Sequence, residues 1–109
     1  MSFVVPNGAA ADTEVSKKCG ITGLLRKIII QTPNFTNAIT VELILRSGTG
    51  NSYYLSGENN ESLSGDTAVT VLPSAPIPVS STDDVVIENS GDPGAGGGTV
   101  IVEISVERV

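Results

Sequence analysis

The strongest constraint on the fold is the strict alternation of apolar and polar residues in the last segment of the chain, TVIVEISVERV. Val100, Val102, Ile104 and Val106 occupy every second position, which is the period of a β-strand with one buried face. The segment 38–46, AITVELILR, repeats this alternation. These two segments predict that the chain buries its apolar residues by pairing strands.

Short strand-like segments separated by turn residues fill the rest of the sequence, and no amphipathic helix is evident. Because only 4% of the residues are aromatic, the core must consist mainly of Val, Ile and Leu, which favour strands. We therefore expect an all-β fold, an antiparallel β-sandwich of Ig-like or jelly-roll type. With 109 residues, the chain should form one domain over 13–109, preceded by a short extended N-terminal arm over 1–12.

The charge balance and the N-terminal sequence limit the possible partners. Twelve acidic and six basic residues give a net charge of −6, which disfavours binding to nucleic acid or to an anionic membrane. The segment MSFVVPNGAAADTEVSKK lacks the basic start and long apolar core of a signal peptide. We therefore expect neither a nucleic-acid nor a membrane partner.

The residue types that most often carry catalysis are missing. The chain has no histidine and a single cysteine, Cys19, so His-based triads and zinc sites cannot be assembled. The pair Asp83 and Asp84 lacks the spacing of a calcium loop. The loop 94–98, GAGGG, has no phosphate-binding lysine and precedes a strand instead of a helix. We expect no enzymatic activity, no cofactor and no metal.

Three isoleucines interrupt the polar faces of their predicted strands, namely Ile29, Ile44 and Ile101. Isolated surface apolar residues are normal, but the same feature on three separate strands also fits an interface with another subunit. Together with Phe3, Val4 and Val5 of the N-terminal arm, these isoleucines are the candidate protein-interface residues.

A weaker candidate site involves the hairpin that contains Tyr53 and Tyr54. An exposed tyrosine can stack on a sugar ring, and the following polar loop offers Asn59 for hydrogen bonding. Because adjacent strand residues point to opposite faces, one tyrosine should belong to the core. These three residues are the candidate glycan contacts.

Three segments, IIIQTPNFTNAITVELIL, NSYYLSG and NSGDPGAGGGTVIVEISVERV, together resemble small virion-associated proteins of tailed bacteriophages in their order and spacing. The resemblance covers residues 24 to 109. It implies a structural part of the virion, made in the host bacterial cytoplasm. The role implied first is a capsid decoration or cement protein on the outer surface of the shell. Its partner would be the major capsid protein or other virion proteins, and it would bind as a homo-oligomer, with a trimer favoured. A tail or baseplate component is the alternative.

Two further functions compete with a structural role in a virion. One is a carbohydrate- or receptor-binding β-sandwich that uses the tyrosine hairpin. The other is an inhibitor whose acidic surface imitates nucleic acid, and this ranks last because the charged residues are distributed among many strands.

Overall fold

The computed structural model describes residues 1–48, 50, 52–54 and 63–108, with the backbone alone for 52–54. The chain is all-β, as the alternation predicts. None of the described residues belongs to a helix that is long and apolar enough to span a membrane. The strands are β1 (Ser2–Val5), β2 (Glu14–Lys18), β3 (Gly23–Gln31), β4 (Thr40–Arg46), β5 (Ser52–Tyr54), β6 (Leu63–Ser64), β7 (Ala68–Val71), β8 (Ile77–Val79), β9 (Asp84–Asn89) and β10 (Gly98–Glu107).

The strands form two antiparallel sheets that pack against each other. The first sheet has the order β1-β10-β3-β7, and β8 pairs with β3 beside β7. The second sheet has the order β2-β9-β4-β5, and β6 also pairs with β4. Each sheet therefore has four strand positions, one of which is shared by two short strands.

The strands pair in a nested order, in which the first strand pairs with the last and the second with the ninth. This order distinguishes a jelly roll from an Ig-like sandwich. β1 pairs with β10, β2 with β9, β3 with β7 and β8, and β4 with β5 and β6. First-with-last pairing of this kind, with the chain alternating between two four-position sheets, is the jelly-roll arrangement. The predicted β-sandwich is thus confirmed, and its strand order is that of a jelly roll.

The core lies between the two sheets and contains the inward-facing residues of the alternating strands. In β10, Val100 and Val102 are fully buried, and in β4 Val41 and Leu43 are almost fully buried. The core also includes Phe3, Val5, Leu25, Ile28, Ile30, Phe35, Ile39, Leu45, Val85 and Ile87. At roughly 0.8 kcal/mol per buried methylene group, this aliphatic layer is the main source of stability.

In the segment expected as an N-terminal arm, residues 2–5 form a strand of the first sheet, and turns follow at residues 7–8 and 11–12. The Met1 amino group donates to the Val102 carbonyl oxygen at 2.7 Å, and the Val102 N–H donates back to Met1 at 2.9 Å. Phe3 and Val5, two positions apart, both point into the core. Residues 2–5 are therefore held by the same apolar alternation that forms the other strands.

The turn TPNFTN and the glycine-rich loop, two of the segments that carry the resemblance, contact each other in the fold. The Asn37 N–H donates to the Pro93 carbonyl at 2.9 Å, and the Thr36 hydroxyl donates to the Ala95 carbonyl at 3.0 Å. A Cβ atom added at Gly98 would lie 2.6 Å from the Phe35 ring. The two motifs thus form one packed corner of the sandwich.

Candidate interaction surface

Two neighbouring rows on the outer face of the first sheet contain no charged side chain. The strand register places Ser2, Ile101, Gln31 and Ala68 side by side in one row across the four strands. Val4 and Thr99 form the neighbouring row. We call these six residues the neutral face.

Apolar side chains on and beside the neutral face are exposed to solvent. Among the described residues, three large apolar side chains are classed as exposed: Val4 at 59%, Leu72 at 65% and Ile101 at 43%. Val4 and Ile101 belong to the neutral face, and Leu72 directly follows β7 of the same sheet. The exposed apolar residues therefore lie on one sheet instead of being scattered over the molecule.

A groove of about 330 Å³ lies beside Ile101 on this sheet. Its remaining lining comes from Gln31, Thr32, Pro33, Asp66 and Thr99. Among the described residues of this lining, Asp66 alone carries a formal charge. The groove is therefore suited to an uncharged side chain or strand better than to a highly charged ligand.

The structure separates the six predicted interface residues into three groups. Val4 and Ile101 are exposed, as an interface requires, and Ile29 is half-buried on the outer side of β3. Phe3 and Val5 are 0% and 2% exposed and belong to the core. The expectation for these two is corrected, because β1 contributes alternate residues to the core and cannot present all three to a partner.

Ile44 requires the same correction for a different reason. It lies on the outer side of the second sheet, opposite Val86, yet it is only 1% exposed and Val86 is 0% exposed. Arg46 donates two hydrogen bonds to Glu14, at 2.9 and 2.7 Å. Since β9 lies between β2 and β4, and Val86 lies between the levels of Glu14 and Arg46, this ion pair crosses over Val86.

The outer face of the second sheet is charged, in contrast to the neutral face. Glu14, Glu88 and Glu42 lie directly opposite one another in one row. Burial, the nearby Asp12, and the neighbouring Glu14 and Glu42 raise the pKa of the Glu88 carboxyl. The hydrogen bonds from Arg46 lower the pKa of Glu14. This face therefore combines like-charge repulsion with two ion pairs, Arg46–Glu14 and Lys18–Asp84.

The remaining candidate chemistry gives no assembled site. The described residues contain no group of three or more His, Cys, Asp or Glu placed to hold a metal ion. Cys19 is buried, and its burial raises the pKa of the thiol. Asp83 accepts the Ser80 N–H at 2.8 Å, while Asp84 pairs with Lys18 at 2.9 Å. The two acids thus serve different local contacts.

The predicted glycan contacts fall mostly outside the described residues. Asn59 is not described, and Tyr53 and Tyr54 are described by their backbone alone. Their register is set by pairing with β4, Tyr53 opposite Leu45 and Tyr54 opposite Ile44. Because Leu45 is an inward position and Ile44 an outward one, the two tyrosine positions belong to opposite faces. A glycan site on them stays a prediction.

Two functional positions were missed in the sequence. Leu72 continues the alternation of TAVTVL immediately before Pro73, and this alternation could have identified it as an outward apolar residue. Asp92 accepts hydrogen bonds from the N–H groups of Gly8 at 2.8 Å and Gly94 at 2.9 Å, which lower its pKa. These hydrogen bonds hold the segment after β1 against the glycine-rich loop. No local sequence pattern predicts this long-range contact.

Comparisons with known proteins give little additional information. No family model matches the sequence, and no curated protein matches it. A solved structure of the infectious bursal disease virus Gt strain is similar over 95% of this chain and 31% of that chain, with 12% sequence identity and a TM-score of 0.33. A TM-score of this size does not indicate a common fold, and it assigns neither fold nor function to this chain.

Proposed function

We propose that this chain is a structural component of a tailed-phage virion, a decoration protein bound to the outer surface of the assembled capsid shell. The three segments that resemble small virion-associated phage proteins support the assignment to a phage particle. The tail or baseplate is the alternative location within the same particle. The proposed protein acts through its surfaces and catalyses no reaction.

The observation that carries the proposal is the neutral face. Val4 and Ile101 are exposed there on a rigid sheet, without a charged side chain among the six residues that define the face. Burying apolar area on a partner contributes about 25 cal/mol per Å² before the costs of association. A surface of this kind suits a permanent contact with another protein.

The architecture supports the proposal by analogy. Jelly rolls occur in viral capsid proteins and in lectins, although a fold does not by itself determine a function. The net charge of −6 is compatible with an outer position on the shell, away from packaged DNA. We propose the major capsid protein as the partner, self-association of the decoration protein with a trimer favoured, and synthesis in the host bacterial cytoplasm.

Co-sedimentation with shells from a phage that lacks this protein tests the proposal. We expect the wild-type chain to sediment with assembled shells but not with free capsid subunits. Ile101→Lys should abolish this binding, because it places a charge in the neutral face. Ser16→Lys is the matched control, since Ser16 is exposed on the opposite sheet, and it should bind like the wild type.

The same experiment with isolated tails distinguishes the two locations. Binding to tails and not to shells would replace the decoration role with the tail role. If the chain binds neither particle, or if Ile101→Lys binds shells as well as the wild type does, the proposal is wrong.

A further inference from the structure

Among the described strands, β10 is the only one that pairs with β1. Met1 and Val102 exchange two backbone hydrogen bonds, so residues 1, 3 and 5 point their backbone groups toward β10. In an antiparallel pair the intervening residues point theirs away. The N–H and C=O groups of Ser2 and Val4 therefore face the open edge of the first sheet.

Strand β7 lies at the opposite edge of this sheet, and alternate backbone groups of β7 also point away from the sheet. The Thr32 N–H donates to the Thr67 carbonyl at 2.8 Å, which makes this a hydrogen-bonded position of the β3–β7 ladder. The backbone groups of Ala68 and Thr70 consequently point away from β3. Strand β8 lies on the same side of β3, but its Pro78 has no N–H to donate.

Neither β1 nor β7 contains the charged residues or prolines that limit pairing with another chain. The sequences of β1 and β7 are SFVV and AVTV, without a charged residue or a proline. By contrast, the second sheet's edge strand β2 is EVSKK, with three charges. Charged residues and prolines are two of the devices that keep natural sheet edges from associating. β1 and β7 thus lack both devices, whereas β8, on the same side of β3 as β7, contains Pro78.

The directions of the two strands make them complementary. β1, β10, β3 and β7 are each antiparallel to the next, so β1 and β7 run in opposite directions. We propose that the first sheet continues from one copy of this chain into the next, with β1 of one copy pairing antiparallel to β7 of its neighbour. This head-to-tail contact closes into a ring or extends as a filament.

The charge distribution favours a second copy as the occupant of these edges. Copies with a net charge of −6 repel each other across charged faces, whereas β1 and β7 bring two uncharged strands together. Pairing would also place the exposed Val4 and Leu72 beside the new contact. Each copy supplies both halves of the interface, and no other molecule is needed.

The inference deepens the proposed function, since it rests on the self-association included there. The two can nevertheless fail separately. The pairing is tested with the purified chain in solution, whereas the location in a virion is tested with phage particles.

Sedimentation velocity of proline variants tests the pairing. Val4→Pro and Thr70→Pro each remove an N–H that points away from the chain's own sheet, so the fold should be retained. We expect the wild type to sediment as an oligomer and each variant as a single 11.2 kDa chain. Val4→Thr, which keeps the N–H and the β-branch, is the control and should associate like the wild type.

A mixture of the two proline variants identifies the head-to-tail geometry. The Thr70→Pro chain keeps an open β1, and the Val4→Pro chain keeps an open β7. An equimolar mixture should therefore form a dimer and nothing larger. If Val4→Pro does not fold by circular dichroism, Val4→Lys blocks the same edge by charge alone and takes its place.

Three results would overturn the inference. The first is a wild-type chain that stays monomeric at millimolar concentration, in which case the open edges bind another protein or nothing. The second is undiminished association of Val4→Pro or its replacement. The third is a Thr70→Pro variant that still forms dimers on its own, which would mean that β1 pairs with β1.

Discussion

At the scale of single residues, the row Glu14–Glu88–Glu42 is the least favourable arrangement of charge in the described structure. Three carboxylates lie directly opposite one another on adjacent strands, and Arg46 pairs with Glu14. Like charges directly opposite each other in a sheet are destabilising. Burial, together with repulsion from the neighbouring acids, raises the pKa of Glu88.

We expect Glu88→Gln to be more stable than the wild type at pH 7, by about 0.2–1 kcal/mol. A raised pKa in the folded state means that the native chain holds its proton more tightly than the unfolded chain does. The stability that Glu88 contributes is thus present below the ordinary glutamate pKa of about 4.3 and is lost as pH rises through the raised value. Urea denaturation at pH 7 and pH 3.5 should show the gain only at pH 7.

Glu103→Gln is the matched control for this prediction. Glu103 is exposed on β10 and lies opposite Ile29, not opposite another acid, so its substitution should change stability much less. A gain for Glu88→Gln that persists unchanged at pH 3.5 would contradict the electrostatic explanation.

At the scale of strands, outward-facing positions differ sharply in burial: Ile44 and Val86 are 1% and 0% exposed, whereas Ile101 is 43% exposed. We expect the ion pair that crosses over Val86 to contribute to this difference. Arg46 on β4 reaches Glu14 on β2 above Val86 on β9. The apolar pair Ile44–Val86 is therefore a small second cluster on the outside of the sandwich, separate from the main core. This cluster depends on how the three strands lie side by side, and the sequence of a single strand does not predict that arrangement.

We expect Ile44→Ala to cost about 2–5 kcal/mol of stability, the usual loss for a buried isoleucine. Ile101→Ala is the matched control, because Ile101 also faces outward but is 43% exposed, and it should cost no more than about 0.5 kcal/mol. Urea unfolding of both variants as monomers, followed by circular dichroism, measures the two losses. Equal losses would mean that the ion pair does not shelter Ile44.

The strands themselves were largely predictable from the sequence, whereas the burial of their outer faces was not. Alternation predicted β4 and β10, because apolar residues at every second position fit a pleated strand. Among the candidate interface residues, Val4 and Ile101 are exposed, whereas Phe3, Val5 and Ile44 are buried. Phe3 and Val5 join the core through pairing with distant β10, and Ile44 is covered across strands.

In the glycine-rich loop, too, the sequence does not show which residues are constrained by packing against distant parts of the chain. Gly97 has a positive φ of 57°, and an added Cβ would lie 2.4 Å from the Val5 carbonyl oxygen. Its neighbour Gly96 also has a positive φ, of 82°, but faces open space. A run of glycines predicts a turn, yet only the packing shows that Gly97, against β1, and Gly98, against Phe35, are required by close contact while Gly96 is not.

At the scale of the whole molecule, the nested pairing makes almost every ladder non-local. β1 pairs with β10 and β2 with β9, so contacts join the two ends of the chain. The sequence left Ig-like and jelly-roll sandwiches as alternatives, because strand patterns do not specify which strands become neighbours. The choice depends on loop geometry and on the combined burial of both sheets.

We expect the purified chain to refold slowly for its length, in about milliseconds to seconds, because loop closure must precede the pairing of distant strands. Stopped-flow dilution from urea measures the rate, at concentrations low enough to exclude association. A refolding phase of tens of microseconds that recovers the full native signal would contradict the nested topology.

The central position of β10 in the first sheet has a consequence for biosynthesis. This strand separates β1 from β3, and it is the last of the ten to be translated. Until the ribosome has released it, β1 and β3 both lack the neighbour that joins them, and the nascent chain exposes their apolar residues. A chain that stops before β10 would leave β1 without a partner in the first sheet and β3 paired only with β7 and β8.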